Sequence, residues 1–220
     1  MILGSRGCAL VLALAPAAAA LAAGDVGVVN HLAGYVNVTS GASTSKAQAY
    51  MNIHEGDMFD VPAGVVLKVV YFRSGRQESF SGPASFKVGA HQSTVQQGAQ
   101  PQVSTLPAVV PQKISQTPEL VQIAKLGKSS GVGVRAAQRE PRLTPQQQAE
   151  VREARETYAK LRAATPDDDI TPELYLYSVL QDNLLYVEMK PVVAEMARRQ
   201  PSNRDVAALA DYVKLKNEQK

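Results

Sequence analysis

Apolar residues recur with one period up to about residue 94 of this chain and with another from residue 143 onward. Side chains alternate between the two faces of a strand. On a helix they return to one face every three to four positions. Residues 25–94 are rich in Val, Gly, Ser and Thr, in short apolar runs separated by turn residues. Residues 143–220 are rich in Ala, Glu, Arg, Leu and Gln at helical spacing. Residues 95–142, rich in Gln, Pro, Ser and Val without a period, read as a linker. The expected class is α+β: a small antiparallel β-sandwich or roll followed by an α-helical hairpin domain.

In the first region Val26, Val28 and Val29 begin a strand, and Tyr35 to Thr39 alternates, with Val36 and Val38 on one face. Val65 to Phe72 is the strongest strand pattern. Val65, Leu67, Val69 and Tyr71 share a face, and Lys68 marks the other as partly wet. Ser74-Gly75 turns the chain into Gln77 to Phe80, and Phe86 to Val88 is a further short strand. Gly56 and Gly75 permit the positive φ that tight turns need, and Asp57 can accept backbone N–H bonds there. Within the linker, Leu106 to Pro111 and Ser129 to Arg135 are candidate extended strands able to pair with a sheet edge.

In the last region Thr144-Pro145-Gln146-Gln147 is a capping box, followed by the stripe Val151, Ala154, Tyr158 and Leu161. Thr171-Pro172-Glu173 starts a second helix with Leu174, Tyr177, Gln181 and Leu184 on its stripe, and Asp182-Asn183 turns. Leu185, Met189, Val192, Val193 and Met196 form a third stripe, with Pro191 as a kink or break. A fourth helix buries Val206, Leu209, Ala210 and Val213.

Residues 1–23 read as a signal peptide. One positive charge, Arg6, precedes an Ala- and Leu-rich run from Cys8 to Leu21, and Ala20-Leu21-Ala22 supplies the small-x-small cleavage pattern. A spanning helix needs about 20 strongly apolar residues; this run is shorter and holds Pro16. Cleavage implies a periplasmic protein that meets the membrane only during export, where ATP and nicotinamide cofactors are scarce. Cys8 is the only cysteine, so the mature chain has no disulfide, thiolate metal site or thiol nucleophile. A β module of this size without disulfides is marginal alone, so the linker or the helices are expected to pack on it. The net charge of +3 gives no reason to expect nucleic acid as a partner.

Gly34-Tyr35-Val36-Asn37-Val38, Gly56-Asp57, and Val61-Pro62-Ala63-Gly64 leading into the Val65 strand and then Ser74-Gly75-Arg76 carry a resemblance. Over roughly residues 25–90 the chain resembles the FecR-like domain of bacterial envelope proteins, whose hairpin has Asp-Gly-Ser where this chain has Ser-Gly-Arg. The resemblance implies an all-β periplasmic module. The better-known members relay a receptor's state to a cytoplasmic sigma factor, through an internal transmembrane helix and a cytoplasmic segment that this chain lacks. The helical region is similar in outline to a tetratricopeptide unit, with Tyr177 and Met189 where that family places Gly or Ala. A plain helical hairpin fits equally.

The candidate chemistry is thin. His54-Glu55-Gly56-Asp57 with His31 offers metal ligands without a zinc spacing, and a metal-assisted hydrolase would use His54 and Glu55. Asp167-Asp168-Asp169 lacks the alternating calcium pattern and suits a helix N-terminus. Tyr175, Tyr177 and Tyr186 form an aromatic cluster suited to core packing. Lys68, Arg73 and Arg76 near the hairpin could receive a small anionic ligand. No catalytic, cofactor-binding or metal-binding residue is assigned. The expected function is a non-catalytic scaffold or accessory subunit of a cell-envelope or signalling assembly, with another envelope protein as partner and the face of Leu185, Met189, Val193 and Met196 as core first and docking surface second. The alternative is a periplasmic binding protein for a small anionic or glycan ligand.

Overall fold

The computed structural model describes residues 24–129 and 142–218. Ten strands come first: β1 (Asp25–Ala33), β2 (Asn37–Ser40), β3 (Ser43–Lys46), β4 (Asn52–His54), β5 (Met58–Val61), β6 (Val66–Tyr71), β7 (Arg76–Ser81), β8 (Ala84–Val88), β9 (Ser93–Gly98) and β10 (Gln102–Thr105). They form two antiparallel five-stranded sheets, ordered β10-β7-β6-β1-β4 and β3-β2-β5-β8-β9. The sheets face each other over Val29, Val38, Ile53, Phe59, Leu67, Val69, Phe80 and Phe86, all buried. Phe80 and Phe86 stack with centroids 3.8 Å apart, and Phe59 joins them 5.2 Å from Phe86. This is the α+β architecture expected from the two periods.

Two turns follow the expected local chemistry. Gly56 has φ +96°, and Asp57 Oδ2 accepts the His54 N–H at 2.9 Å across that turn. Gly75 has φ +64° in the β6–β7 hairpin, where a Cβ would also lie 2.9 Å from the Leu106 carbonyl.

Six helices follow among the described residues: α1 (Val109–Ile114), α2 (Thr117–Ser129), α3 (Pro145–Ala164), α4 (Thr171–Asp182), α5 (Tyr186–Arg199) and α6 (Arg204–Glu218). Strands thus continue past residue 94, and the described part of the expected linker is built into the fold. The strand expected at Leu106–Pro111 lies earlier, at β10, which pairs with β7. Leu106 to Pro111 instead lead into α1, with Val110 and Ile114 buried. The candidate strand from Ser129 to Arg135 lies outside the described residues, apart from Ser129 at the end of α2.

The capping box of α3 forms as expected, with Thr144 Oγ1 accepting the Gln147 N–H. Helix α4 departs from its expected stripe because it is central: it packs on α1, α3 and α5, and every residue from Thr171 to Leu180 is buried. Helix α5 runs unbroken through Pro191 and buries Met189, Val192, Val193 and Met196.

The helices pack on the outer face of the first sheet. Val28 and Val70 point away from the sandwich core and join Leu174, Tyr177, Met189 and Leu209 in one apolar cluster. The face expected to be partly wet is therefore covered, and Lys68 on it is only 7% exposed. A covered sheet, with apolar residues on both faces, gives a near-continuous apolar strand rather than an alternating one, which describes Val65 to Tyr71.

Candidate functional site at the joint of sheet and helices

The polar groups of the joint come from three strands, one loop and the first residue of α4. Register places Asn30 on β1, Lys68 on β6 and Gln77 on β7 toward the helices, and the α3–α4 loop brings Asp167, Asp168 and Asp169 over them. Asp169 is 1% exposed. Its Oδ1 accepts from the Thr171 N–H at 2.9 Å and the Thr171 hydroxyl at 2.5 Å. Its Oδ2 accepts from Gln77 Nε2 at 2.8 Å and Lys68 Nζ at 3.3 Å. Burial pushes this carboxyl up, but Lys68, Thr171 and Gln77 outweigh burial and hold it below its ordinary range. Asn30 Nδ2 completes the joint by donating to Thr171 Oγ1 at 2.7 Å.

The acids of the Asp167–Asp169 run divide between two cations, with Lys68 beside Asp168 and Asp169 and Arg199 beside Asp167. Asp168 stands 3.9 Å from both Lys68 Nζ and His31 Nε2. Burial and the nearby Lys68 lower the His31 imidazole, against the opposing pull of Asp168 and Asp169. Asp167 pairs with Arg199 at 2.5 Å. Arg199 and Arg162 also flank Glu173, which is fully buried and accepts from Tyr158 Oη at 3.2 Å. Arg162 donates to the carbonyls of Asp169, Thr165 and Pro166, fixing the loop that carries the acids. An unpaired buried ion costs several kcal/mol, so such groups occur in mutually neutralising sets.

The other candidate residues are dispersed. His54 Nε2 is 3.0 Å from Asp25, and Nδ1 is 3.4 Å from Asp57, so the two carboxylates sit on opposite ring nitrogens and do not converge on one ion. Register sets His54 against Asp25 and His31 against Lys68, at opposite ends of β1. Glu55 is exposed on the turn. Among the described residues, no group of three or more His, Cys, Asp and Glu side chains is placed to hold a metal ion. Lys68, Arg73 and Arg76 do not meet: Lys68 lies under the helices, Arg73 is exposed, and Arg76 Nε bonds the buried Glu78 at 2.5 Å. Tyr175 and Tyr177 are core residues, and Tyr186 meets Tyr212 edge-on at 6.4 Å. Leu185, Met189, Val193 and Met196 are all buried.

Three concave surfaces adjoin these groups. A cleft of about 280 Å³ opens between β6, β7 and β10 on one side and the end of α3 with its following loop on the other. A groove of about 380 Å³ between α3, α4 and α5 is floored by Leu176, Leu180 and Val192, with Arg155 and Glu188 at its rim. A third, of about 320 Å³, lies between α5 and α6 beside Lys190 and Lys214. Among the described residues no helix is long and apolar enough to cross a membrane.

Asn30, Gln77 and Thr171 escaped the sequence reading. The available signal was a lysine inside an apolar strand, together with Asp169-Ile170-Thr171-Pro172, an acid two positions before a helix start. No family model, curated protein or solved structure matches the chain.

Proposed function

We propose that this chain is an exported, non-catalytic protein in which a FecR-like β module and a helical array act together as a scaffold or accessory subunit of a cell-envelope assembly. The observation that carries this reading is the groove across α3, α4 and α5. Leu176, Leu180, Val192 and Pro191 give it an apolar floor, and Tyr158, Arg155 and Glu188 surround it. An apolar centre with a polar rim, enriched in Tyr and Arg, is the composition of protein-binding surfaces. The pairing of the buried ions with one another supports a structural role for them rather than a reactive one. The leader-like residues 1–23 support export, and the turn grammar around Gly56 and Gly75 supports the FecR-like assignment.

The test is recovery of the mature protein from its native envelope. The expected result is a stoichiometric protein partner that is lost in the double variant Arg155→Glu, Pro191→Arg, which alters only exposed side chains at the groove. A mature protein that returns alone overturns the reading.

A further inference from the structure

We propose that the cleft beside Lys68 is a binding site for a small neutral, hydroxyl-rich ligand the size of one sugar ring. This goes beyond the scaffold reading and holds whether or not the helical groove takes a partner. An ammonium has three N–H donors. Lys68 is 93% buried by its 7% exposure, and among the described residues its Nζ makes one hydrogen bond, the 3.3 Å bond to Asp169. Asp168, at 3.9 Å, is too distant for a second. Lys68 also lines the cleft, so its ammonium has donor capacity for a ligand bound there.

The opposite wall supplies matching groups. Gln77 gives its Nε2 to Asp169, which leaves its Oε1 as an acceptor at the cleft. The hydroxyls of Ser79 and Ser104 line the same space, and neither has a side-chain hydrogen bond among the described residues. Cross-strand register sets Ser79 opposite Gln102 and Ser104 opposite Gln77, so these polar groups share the helix-facing side of β7 and β10. Leu161 and Ala164 of α3 form the apolar side. A few fixed polar groups on one wall and an apolar surface on the other are the usual construction of small-ligand sites. The C–H face of a sugar ring suits the second wall, and its hydroxyls suit the first.

Charge decides between a neutral and an anionic occupant. Asp169 already neutralises Lys68, and Asp168 is a second carboxylate 3.9 Å from the ammonium. An incoming carboxylate would face two carboxylates across one ammonium, which disfavours it at this range. A hydroxyl accepts from Lys68 without that repulsion and returns a donor to Gln77 Oε1. The cleft has no aromatic platform, so the affinity is modest, with a Kd of about 1 mM.

The test is a titration of the isotope-labelled mature protein with methyl glucoside, N-acetylglucosamine and glucuronate, followed by amide and Lys68 side-chain NMR. The expected result is saturable shifts at Lys68, Ser79 and Ser104 with one or both neutral sugars. Glucuronate should bind about tenfold more weakly. Ala164→Trp, at an exposed position that leaves the Lys68–Asp169 pair intact, should abolish the shifts while the spectrum of the β1 and β5 amides is unchanged. The inference is overturned if neither neutral sugar gives a saturable shift by about 0.1 M, if glucuronate binds as well as the neutral sugars, or if the shifts survive Ala164→Trp.

Discussion

Asn30 Nδ2 donates a 2.7 Å hydrogen bond to Thr171 Oγ1, joining the first strand to the start of α4 across 141 positions of sequence. The same Thr171 hydroxyl donates to Asp169, and Asp169 accepts from Lys68 and Gln77. One carboxylate thus connects β6, β7 and α4, and the hydroxyl beside it brings in β1.

Replacing Asp169 by Ala removes the acceptor of four bonds and leaves buried Lys68 with only the exposed Asp168, 3.9 Å away, as a counter-ion. The expected loss is about 3–5 kcal/mol, read from urea unfolding. Lys68→Ala should be of similar size, and the double variant should cost clearly less than the sum, because each single change strands the other charge. Strict additivity would show that the pair is not coupled.

The imidazole of His31 is lowered from 6.5 by burial and by Lys68. The unfolded chain then takes up a proton at higher pH than the folded one. Stability should fall as the pH drops below about 6.5, until the folded value is passed. His31→Asn should flatten that part of the curve, measured as urea midpoints from pH 8 to about pH 5. A wild-type midpoint that rises on acidification over this interval contradicts the assignment.

Asp169 acts in the same sense, at lower pH. Its folded value lies below 3.8, so its contribution is complete above that pH and is lost as the pH falls through the folded value. A second acid transition is expected there in the protein lacking His31, and Asp169→Asn should remove it.

Glu173 holds Arg162, Arg199 and Tyr158 around a fully buried carboxylate. Glu173→Ala is expected to cost about 3–5 kcal/mol, because two guanidinium groups lose their buried partner. Met189→Ala, at a fully buried apolar position of α5, should cost about 2–5 kcal/mol. Thr144→Ala, which removes only the α3 cap, should cost about 1 kcal/mol. Thermal denaturation of the three variants should give that separation, and a Thr144→Ala loss equal to that of Glu173→Ala would contradict it.

The sandwich was legible where one face of a strand meets the core and the other meets solvent. Val36 and Val38, and the capped start of α3 at Thr144, belong to that class. The joint was not legible, for two physical reasons. A lysine in an alternating strand normally marks the wet face, and the acid that covers Lys68 lies 101 positions later. Strand β10 was missed because all four of its residues are exposed, so burial imposes no apolar alternation on it. Helix α4 is buried on every side from Thr171 to Leu180, so the stripe of Leu174, Tyr177 and Gln181 did not mark the one face that meets the core.

The double coverage of the first sheet has a consequence for biogenesis. Val28 and Val70 lie on strands completed early in synthesis, while the helices that shield them are encoded after residue 108. A nascent chain therefore presents a sticky β surface well before its cover emerges, and a truncated β module would keep that surface permanently bare. Chaperone demand during synthesis should accordingly be governed by how soon α4 and α5 arrive, rather than by how fast the sandwich itself closes.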